Sequence, residues 1–371
     1  MRPTKMIVSL SSIEHNARQV RSRVPASVKL MCVVKANSYG HGAAQVSRRL
    51  VEKGLADYLA VANAEEAEDL RQNGIETPVL ILGGGDREEM ELSVSLSASH
   101  AVYDREMLEN LSQAAARLGC AASAHLKLDT GMTRIGVPCH GDLKKLESLL
   151  DAWRDYPNVR LDGAFTHFSA ADTDPEYTRF QNERFKSALS LIRSCGYAPI
   201  AHAAASEALE NREFQHDMVR PGIVLYGSGA KHLNLRHAQT LLTRPVRVES
   251  IPAGTSVGYG RTFTARRDSL IATLPIGYGD GYPRALGGKA DCLVNGRRAK
   301  IVGRVCMDML TVDVTGIPGV TRDTDFVLLG RQGEEAITPD ELAALSGTIP
   351  YEIMLGFLPR VRREYAEPAE E

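Results

Sequence analysis

The sequence predicts an α/β chain in which an N-terminal (β/α)8 barrel of the TIM type precedes a C-terminal, mostly-β domain. Three observations predict it. Short apolar or β-branched runs recur eight times between Lys29 and about Tyr226, each followed by a turn and a helical pattern, as strand–helix units of a parallel sheet require. Helix punctuation sits between them: Asp174-Pro175 reads as an N-cap and first helical residue, and Gly54, Gly119 and Gly196 close their helices. From about Leu241 the texture changes to short β-type runs separated by Gly, Pro and Asn.

In chain order, the segment before the first strand is helical, with a capping box at Ser11 and Glu14 and apolar Ile13, Ala17, Val20 and Val24 at helical spacing. The eight strands are expected at Lys29–Val34, Tyr58–Ala62, Pro78–Leu82, Ser99–Tyr103, Ala124–Leu128, Arg160–Thr166, Ile200–Ala204 and Asp217–Arg220. A doubly wound open sheet is the alternative to closure. The barrel carries a corollary: reactive side chains should gather just after the strands, at their C-terminal ends. Polar Lys231–Ala238 reads as the junction, giving domains 1–235 and 236–371. Further β runs follow at Val246–Ile251, Ser269–Leu274, Cys292–Val294, Lys300–Val302, Leu310–Val314 and Phe326–Leu329, and acidic Glu367–Glu371 reads as a loose tail.

Composition narrows the function. Over 371 residues, 44 Lys plus Arg against 46 Asp plus Glu leave a net charge of -2 without a basic block, which disfavours nucleic acid as a partner. No run approaches the roughly 18 apolar residues of a membrane span, and Met1–Asn16 lacks a signal-peptide core, so a cytoplasmic location is expected. The 6 cysteines form no Cys-x-x-Cys pair and the 10 histidines no ligand spacing, so no metal site is expected.

Candidate chemistry falls at strand ends. Lys35 follows the first strand, where partial desolvation would suit a lysine to Schiff-base chemistry with pyridoxal phosphate; a lysine stem packed along the strand end reads equally well in isolation. Tyr39 beside it offers a phenol to a phosphate. Arg134 lies between glycines after the fifth strand and suits a carboxylate or phenolate. Lys127, by alternation with Leu126 and Leu128, points into the barrel interior. His167 and Ser206 follow strands six and seven, Arg220 ends strand eight and Gly222 follows it, the last two strands being where barrels often bind phosphate. Singly each has a structural explanation; together they coincide with a barrel active site. The β domain adds tyrosines among glycines around Tyr259 and Tyr278, which alone read as turn-packing aromatics.

Nearly the whole chain resembles the alanine racemase family, pyridoxal-phosphate (PLP) enzymes of fold type III. The likeness is carried by Val34-Lys35-Ala36-Asn37-Ser38-Tyr39-Gly40-His41-Gly42, Asp129-Thr130-Gly131-Met132-Thr133-Arg134-Ile135-Gly136, Arg220-Pro221-Gly222, the Tyr259 and Tyr278 motifs, Cys306-Met307-Asp308 and Pro350-Tyr351-Glu352. The resemblance implies that Lys35 holds PLP and serves the D-side of the α-carbon, while Tyr259 from the other subunit of a homodimer serves the L-side. It implies phosphate contacts from Tyr39, Ser206, Tyr351 and the amides of Gly222 and Ile223, and substrate-carboxylate contacts from Arg134 and the Met307 amide. It places His167 beside Tyr259 with Arg220 behind, and sets Arg220 against the pyridine nitrogen, where a protonated guanidinium donates a hydrogen bond and keeps the ring nitrogen neutral. Lys127 matches a lysine often carbamylated in the family, Tyr278 with Tyr351 an entrance constriction, and Asp308 a polar contact next to it. Bringing a phenol from about 10 to near 7 requires roughly 4 kcal/mol of differential stabilisation, for which cationic neighbours are the expected source.

The sequence departs from the family's pattern twice: Ala205 stands where Asn is usual and Leu355 where Cys is frequent. The implied reaction is racemisation of alanine, an amino-acid substrate, supplying D-alanine for peptidoglycan. A serine or broad-specificity racemase of the same fold is the alternative, because pockets separate such side chains by only about 1 to 3 kcal/mol. A fold type III decarboxylase is disfavoured by Arg220, since those enzymes use a carboxylate there. A non-catalytic PLP carrier is disfavoured by the β domain.

Overall fold

The computed structural model describes residues 2–230 and 232–366, so Lys231 of the expected junction and the expected tail lie outside the described residues. All eight expected barrel strands are present, at Lys29–Val33, Tyr58–Val61, Val79–Ile81, Ser99–Val102, Ala122–Asp129, Val159–Phe165, Ile200–Ala205 and Met218–Arg220. Each pairs in parallel with its neighbour, Met218–Arg220 returns to Lys29–Val33, and Ser99–Val102 pairs with Ala122–Asp129, so the sheet closes and the open doubly wound alternative falls.

Closure follows from the residues. The strands are largely buried, for example at every residue from Ala124 to Asp129, because helices cover their outer faces and side chains fill the interior. Four of the outer helices start on side-chain caps, Asn63, Asp86, Asp104 and Asp174 each accepting from the third following amide, and one ends at Gly119 in the left-handed region.

The first helix, Leu10–Arg23, corrects one expectation: its cap is Ser9, which accepts from the Ser12 amide, not Ser11. The strand Lys5–Ser9 ends there, and the extended backbone at Ser9 supplies the cap geometry. That strand also qualifies the expected 1–235 barrel. It lies in the second sheet, antiparallel to Gln239–Thr243 and parallel to Arg362–Ala366, with Met6 and Val8 buried between them.

The second sheet has ten strands among the described residues, running from Arg247–Ile251 through Ser269–Leu274, Leu310–Asp313, Arg297–Val302, Asp291–Val294 and Phe326–Gln332 to Gln239–Thr243 and the terminal strands. A small hairpin, Ser256–Val257 with Phe263–Thr264, projects the turn Tyr259–Arg261. Short helices Pro339–Ser346 and Pro350–Leu355 bring Tyr351 back to the barrel mouth, where its ring lies 5.9 Å from that of Tyr39.

Candidate active site

A cavity of about 580 Å3 opens at the C-terminal ends of the barrel strands, as the barrel corollary requires. Lys35, Tyr39, Lys127, Arg134 and His167 line it, and so do Ser206, Arg220, Gly222, Ile223 and Tyr351. Ala205 also lies in the wall. Tyr259, Tyr278, Met307 and Asp308 do not reach this cavity within one chain.

Lys35 sits where the first strand ends and the backbone turns left-handed. Ala36, Asn37, Ser38 and Tyr39 have φ of 51, 53, 53 and 52°, followed by Gly40 at 81°. Left-handed geometry in residues bearing a Cβ costs roughly 1–2 kcal/mol each, so the surroundings must impose it. The Glu66 carboxylate does so by accepting from Ala36 N at 2.6 Å and from Ala62 N at 2.7 Å, tying the turn to the next strand end. Asn37 Oδ1 accepts from Ala43 N at 2.8 Å, and His41 Nδ1 lies 2.9 Å from both Ser38 O and Tyr39 O. Tyr226 packs between the Tyr39 and His41 rings, with centroids 4.9 and 4.6 Å away. Sequence reasoning missed Glu66 and the turn, because no glycine marks positions 36 to 39.

Burial lowers the pKa of Lys35 and the Arg134 charge adds to the fall, while Glu66 opposes it. The lysine therefore gives up its proton more readily than one in water. Burial also draws Lys127 down to about 7, with Arg220 the next cause. Its Nζ donates to Leu128 O at 3.0 Å and lies 5.3 Å from the Phe165 ring, inside the barrel as alternation predicts.

Arg220 is 3% exposed. Its Nη2 donates to Thr166 O at 2.7 Å and Ala203 O at 2.9 Å, and its Nη1 to His202 O at 2.9 Å. Burial lowers its pKa to about 9, which still leaves it a cation at neutral pH. Nη2 also lies 3.4 Å from His167 Nδ1. Burial, then Arg220, then Arg134 bring His167 down to about 3, so the imidazole is neutral. Arg220 thus stands as a cation behind a neutral histidine.

Tyr39, Ser206 and Gly222 converge. Gly222 N donates to Ser206 Oγ at 3.0 Å, and a Cβ at residue 222 would meet Tyr39 Oη at 3.0 Å and Ser206 Oγ at 3.7 Å. Only a glycine leaves that cradle open. Burial raises both Tyr39 and Tyr351, the latter to about 12 with Glu207 adding, so both phenols remain hydrogen-bond donors. Arg134 is presented by a loop wound around Asp129, whose Oδ1 accepts from the amides of Gly131, Met132 and Thr133 at 3.0, 3.1 and 3.0 Å.

The C-terminal candidates form a second cluster on the surface. Gly279 N donates to Met307 O at 2.8 Å and Tyr278 N to Cys306 O at 3.0 Å, joining the Tyr278 and Met307 loops. Asp280 is fully buried beneath them, held by Arg2 at 2.5 Å and Arg360 at 3.2 Å, and Arg360 also reaches Asp308 at 2.7 Å. Tyr259 is 72% exposed, Met307 53% and Tyr278 42%.

Known proteins share this fold. Family models described as the alanine racemase N-terminal and C-terminal domains match residues 8–229 and 238–365. The chain is 42% identical to Alanine racemase 2 of Caldanaerobacter subterraneus subsp. tengcongensis, over 98% of its own length and 95% of that protein's. Alanine racemase of Clostridium difficile 630 superposes with a TM-score of 0.93 at 33% identity, covering 99% of this chain and 96% of that one. Alanine racemase of Bacillus anthracis with bound L-Ala-P gives a TM-score of 0.91 at 32% identity, over 99% and 96% of the two chains. Matched across both of its halves, the chain belongs to the alanine racemase family.

Proposed function

We propose that this chain interconverts L- and D-alanine with pyridoxal 5'-phosphate, using Lys35 and the Tyr259 of a second copy as two opposed acid–base groups. The observation that carries this reading is the cavity itself: a lysine of weakened proton affinity, an open hydroxyl-and-amide cradle and a buried arginine cation share one wall, in a chain 42% identical to a racemase over 98% of its length.

The residues present fit the cofactor. Tyr39 Oη, Ser206 Oγ and the amides at Gly222 and Ile223 are donors suited to its phosphate, with Tyr351 at the rim, and the missing Cβ at Gly222 leaves room beside them. Ala205 puts a methyl where the family usually has an amide, and this cradle has one polar group fewer. Arg220, which the family sets against the pyridine nitrogen, has a proton to donate and none to release at neutral pH. Pyridoxal phosphate, when bound, supplies the electron sink that makes the substrate's α-proton acidic.

Racemisation then needs a proton taken from one face of the α-carbon and another delivered to the opposite face. Lys35 is the group on one face. Tyr259 serves the other, assisted by Arg220 through neutral His167. Arg134 and the Met307 amide bind the substrate carboxylate, Tyr278 with Tyr351 narrows the entrance, and Asp308 contributes a polar contact there. Lys127, carbamylated, would become an anion beside Arg134.

A homodimer is supported by the separation of the two clusters: Tyr259, Tyr278 and Met307 stand exposed and outside their own chain's cavity. No helix among the described residues is long and apolar enough to cross a membrane. We place the enzyme in the cytoplasm, supplying D-alanine for peptidoglycan.

The test is incubation with PLP and L-alanine in deuterated water, following chirality and α-deuterium together. Conversion to D-alanine with deuterium at Cα is expected. Exchange confined to serine or a larger amino acid would move the substrate, and no exchange with any amino acid would remove the racemase reading.

A further inference from the structure

Below the cavity, hydrogen bonds continue from Arg220 into the barrel core. Arg220 Nη1 lies 2.9 Å from His202 Nδ1, and His202 Nε2 lies 2.9 Å from His125 Nδ1. His202 and His125 are 0% and 1% exposed. The His202 ring stacks on Phe165 at 4.8 Å and 3° and meets the His125 ring edge-on at 5.2 Å and 67°. At the far end His125 lines a second depression, with Ser99, Ser123 and Asp162.

The barrel wall is shaped around this pair. The register between Ala122–Asp129 and Val159–Phe165 shifts at His125, which is paired with Gly163. A Cβ at Gly163 would lie 2.2 Å from His125 Nδ1, so a glycine is required opposite the ring.

Donor logic fixes every proton along this path. A guanidinium only donates, so His202 Nδ1 accepts and the ring carries its proton on Nε2. That proton goes to His125 Nδ1, leaving the His125 proton on its own Nε2. On the other side Arg220 Nη2 directs its two protons to Thr166 O and Ala203 O and lies 3.4 Å from His167 Nδ1, a longer contact that leaves the His167 tautomer open. Protonating either inner ring would remove an acceptor and set a second cation near Arg220. Burial holds His125 down at about 4, with Asp162 opposing and Arg220 adding; His202 is also drawn well below the usual imidazole range, by burial, Arg220, His125, Lys127 and His216.

Nη1 and Nη2 of Arg220 are occupied by these rings and by the carbonyls of Thr166, His202 and Ala203, whereas Nε has no hydrogen-bond partner among the described residues. We propose that His202 and His125 are positioning residues for Arg220: a one-way chain of neutral imidazoles that orients the guanidinium so that its Nε–H is left for the ring nitrogen of the cofactor. The last step rests on the proposed function; the tautomer chain does not.

Two measurements test it. In holoenzyme labelled with 15N-histidine, long-range 1H–15N spectra from pH 6 to 9 should show an unprotonated Nδ1 and a protonated Nε2 on His202 and His125, assigned through His202→Asn and His125→Gln. A protonated Nδ1 on either ring, or titration of either within that range, overturns the proposal. Secondly, His202→Leu should lower kcat about tenfold to a hundredfold with KM for alanine within about threefold, and displace the absorption maximum of bound PLP. His202→Asn, whose amide oxygen accepts from Arg220, should restore most of both. Native kcat and spectrum in a folded, PLP-loaded His202→Leu enzyme overturns the positioning role. Should that variant not fold, the spectra of the native enzyme decide. A native enzyme that racemises nothing yet shows the chain of Nε2–H tautomers supports the inner chain and removes the proposed function instead.

Discussion

The two halves of the proposed site are built in opposite ways. The barrel half is enclosed: Arg220 is 3% exposed, Lys127 4%, Tyr39 7%, and the cations Lys35, Lys127 and Arg220 all have their pKa values lowered chiefly by burial. The C-terminal half is open: Tyr259 is 72% exposed, on a small hairpin joined to the rest near Gly303 and Arg304. Enclosure is what perturbs titration, because it removes water from the charged form. In the proposed reading the barrel, with Tyr351 at its rim, holds the cofactor and tunes a lysine, whereas the exposed tyrosine needs another surface over it to meet the substrate.

The contrast is broken most severely by removing one group from each half. Lys35→Ala should abolish both the covalent attachment of PLP, read from its absorption spectrum, and racemisation. Tyr259→Phe should leave PLP attached and lower racemisation by about 10²- to 10⁴-fold, the usual contribution of one acid–base group. If Tyr259→Phe lost its cofactor as well, the division of labour between the halves would be wrong.

Acid should weaken the barrel before the other half. His41 and His125 are drawn to about 4 and His167 to about 3, burial being the main cause in each, against an ordinary 6.5. Because their folded values are depressed, the unfolded chain binds more protons between about pH 6.5 and 4, and stability falls as pH falls through that window. Each such group contributes at most about 1.4 kcal/mol per pH unit there. The melting temperature should drop by several degrees from pH 7 to 5.5; a flat profile would contradict neutral buried imidazoles.

Gly222→Ala sharpens the comparison on the cofactor side. Its methyl would sit 3.0 Å from Tyr39 Oη, inside the cradle, and PLP affinity should weaken about tenfold with little change in melting temperature. Asp308→Asn is the mildest probe. Its pairing with Arg360 at 2.7 Å is exposed, so its stability effect should be within error and its effect on kcat/KM at most a few-fold.

Much of the barrel was legible because each strand is a short apolar run between turn residues, and the strand-end positions of Lys35, Arg134, His167 and Arg220 follow from that alone. The alternation that buries Lys127 was equally readable. Lys5–Ser9 and Arg362–Ala366 were not, since five-residue strands that pair across some 357 positions leave no local signal and the second is rich in charge. Nor was the left-handed run from Ala36 to Tyr39, imposed by Glu66 and the Tyr226 stack rather than by glycine. The His125–His202 contact escaped because its partners lie 77 residues apart and each reads as an ordinary buried strand residue.

The central claim, that the two halves meet between copies of the chain, is tested most directly by mixing the inactive Lys35→Ala and Tyr259→Phe proteins after unfolding and refolding them together. A shared site gives each mixed dimer one intact centre, so random pairing should restore about one quarter of native racemase activity. No recovery above the separate variants, with mixed dimers demonstrably formed, would contradict the account and place both groups in one chain.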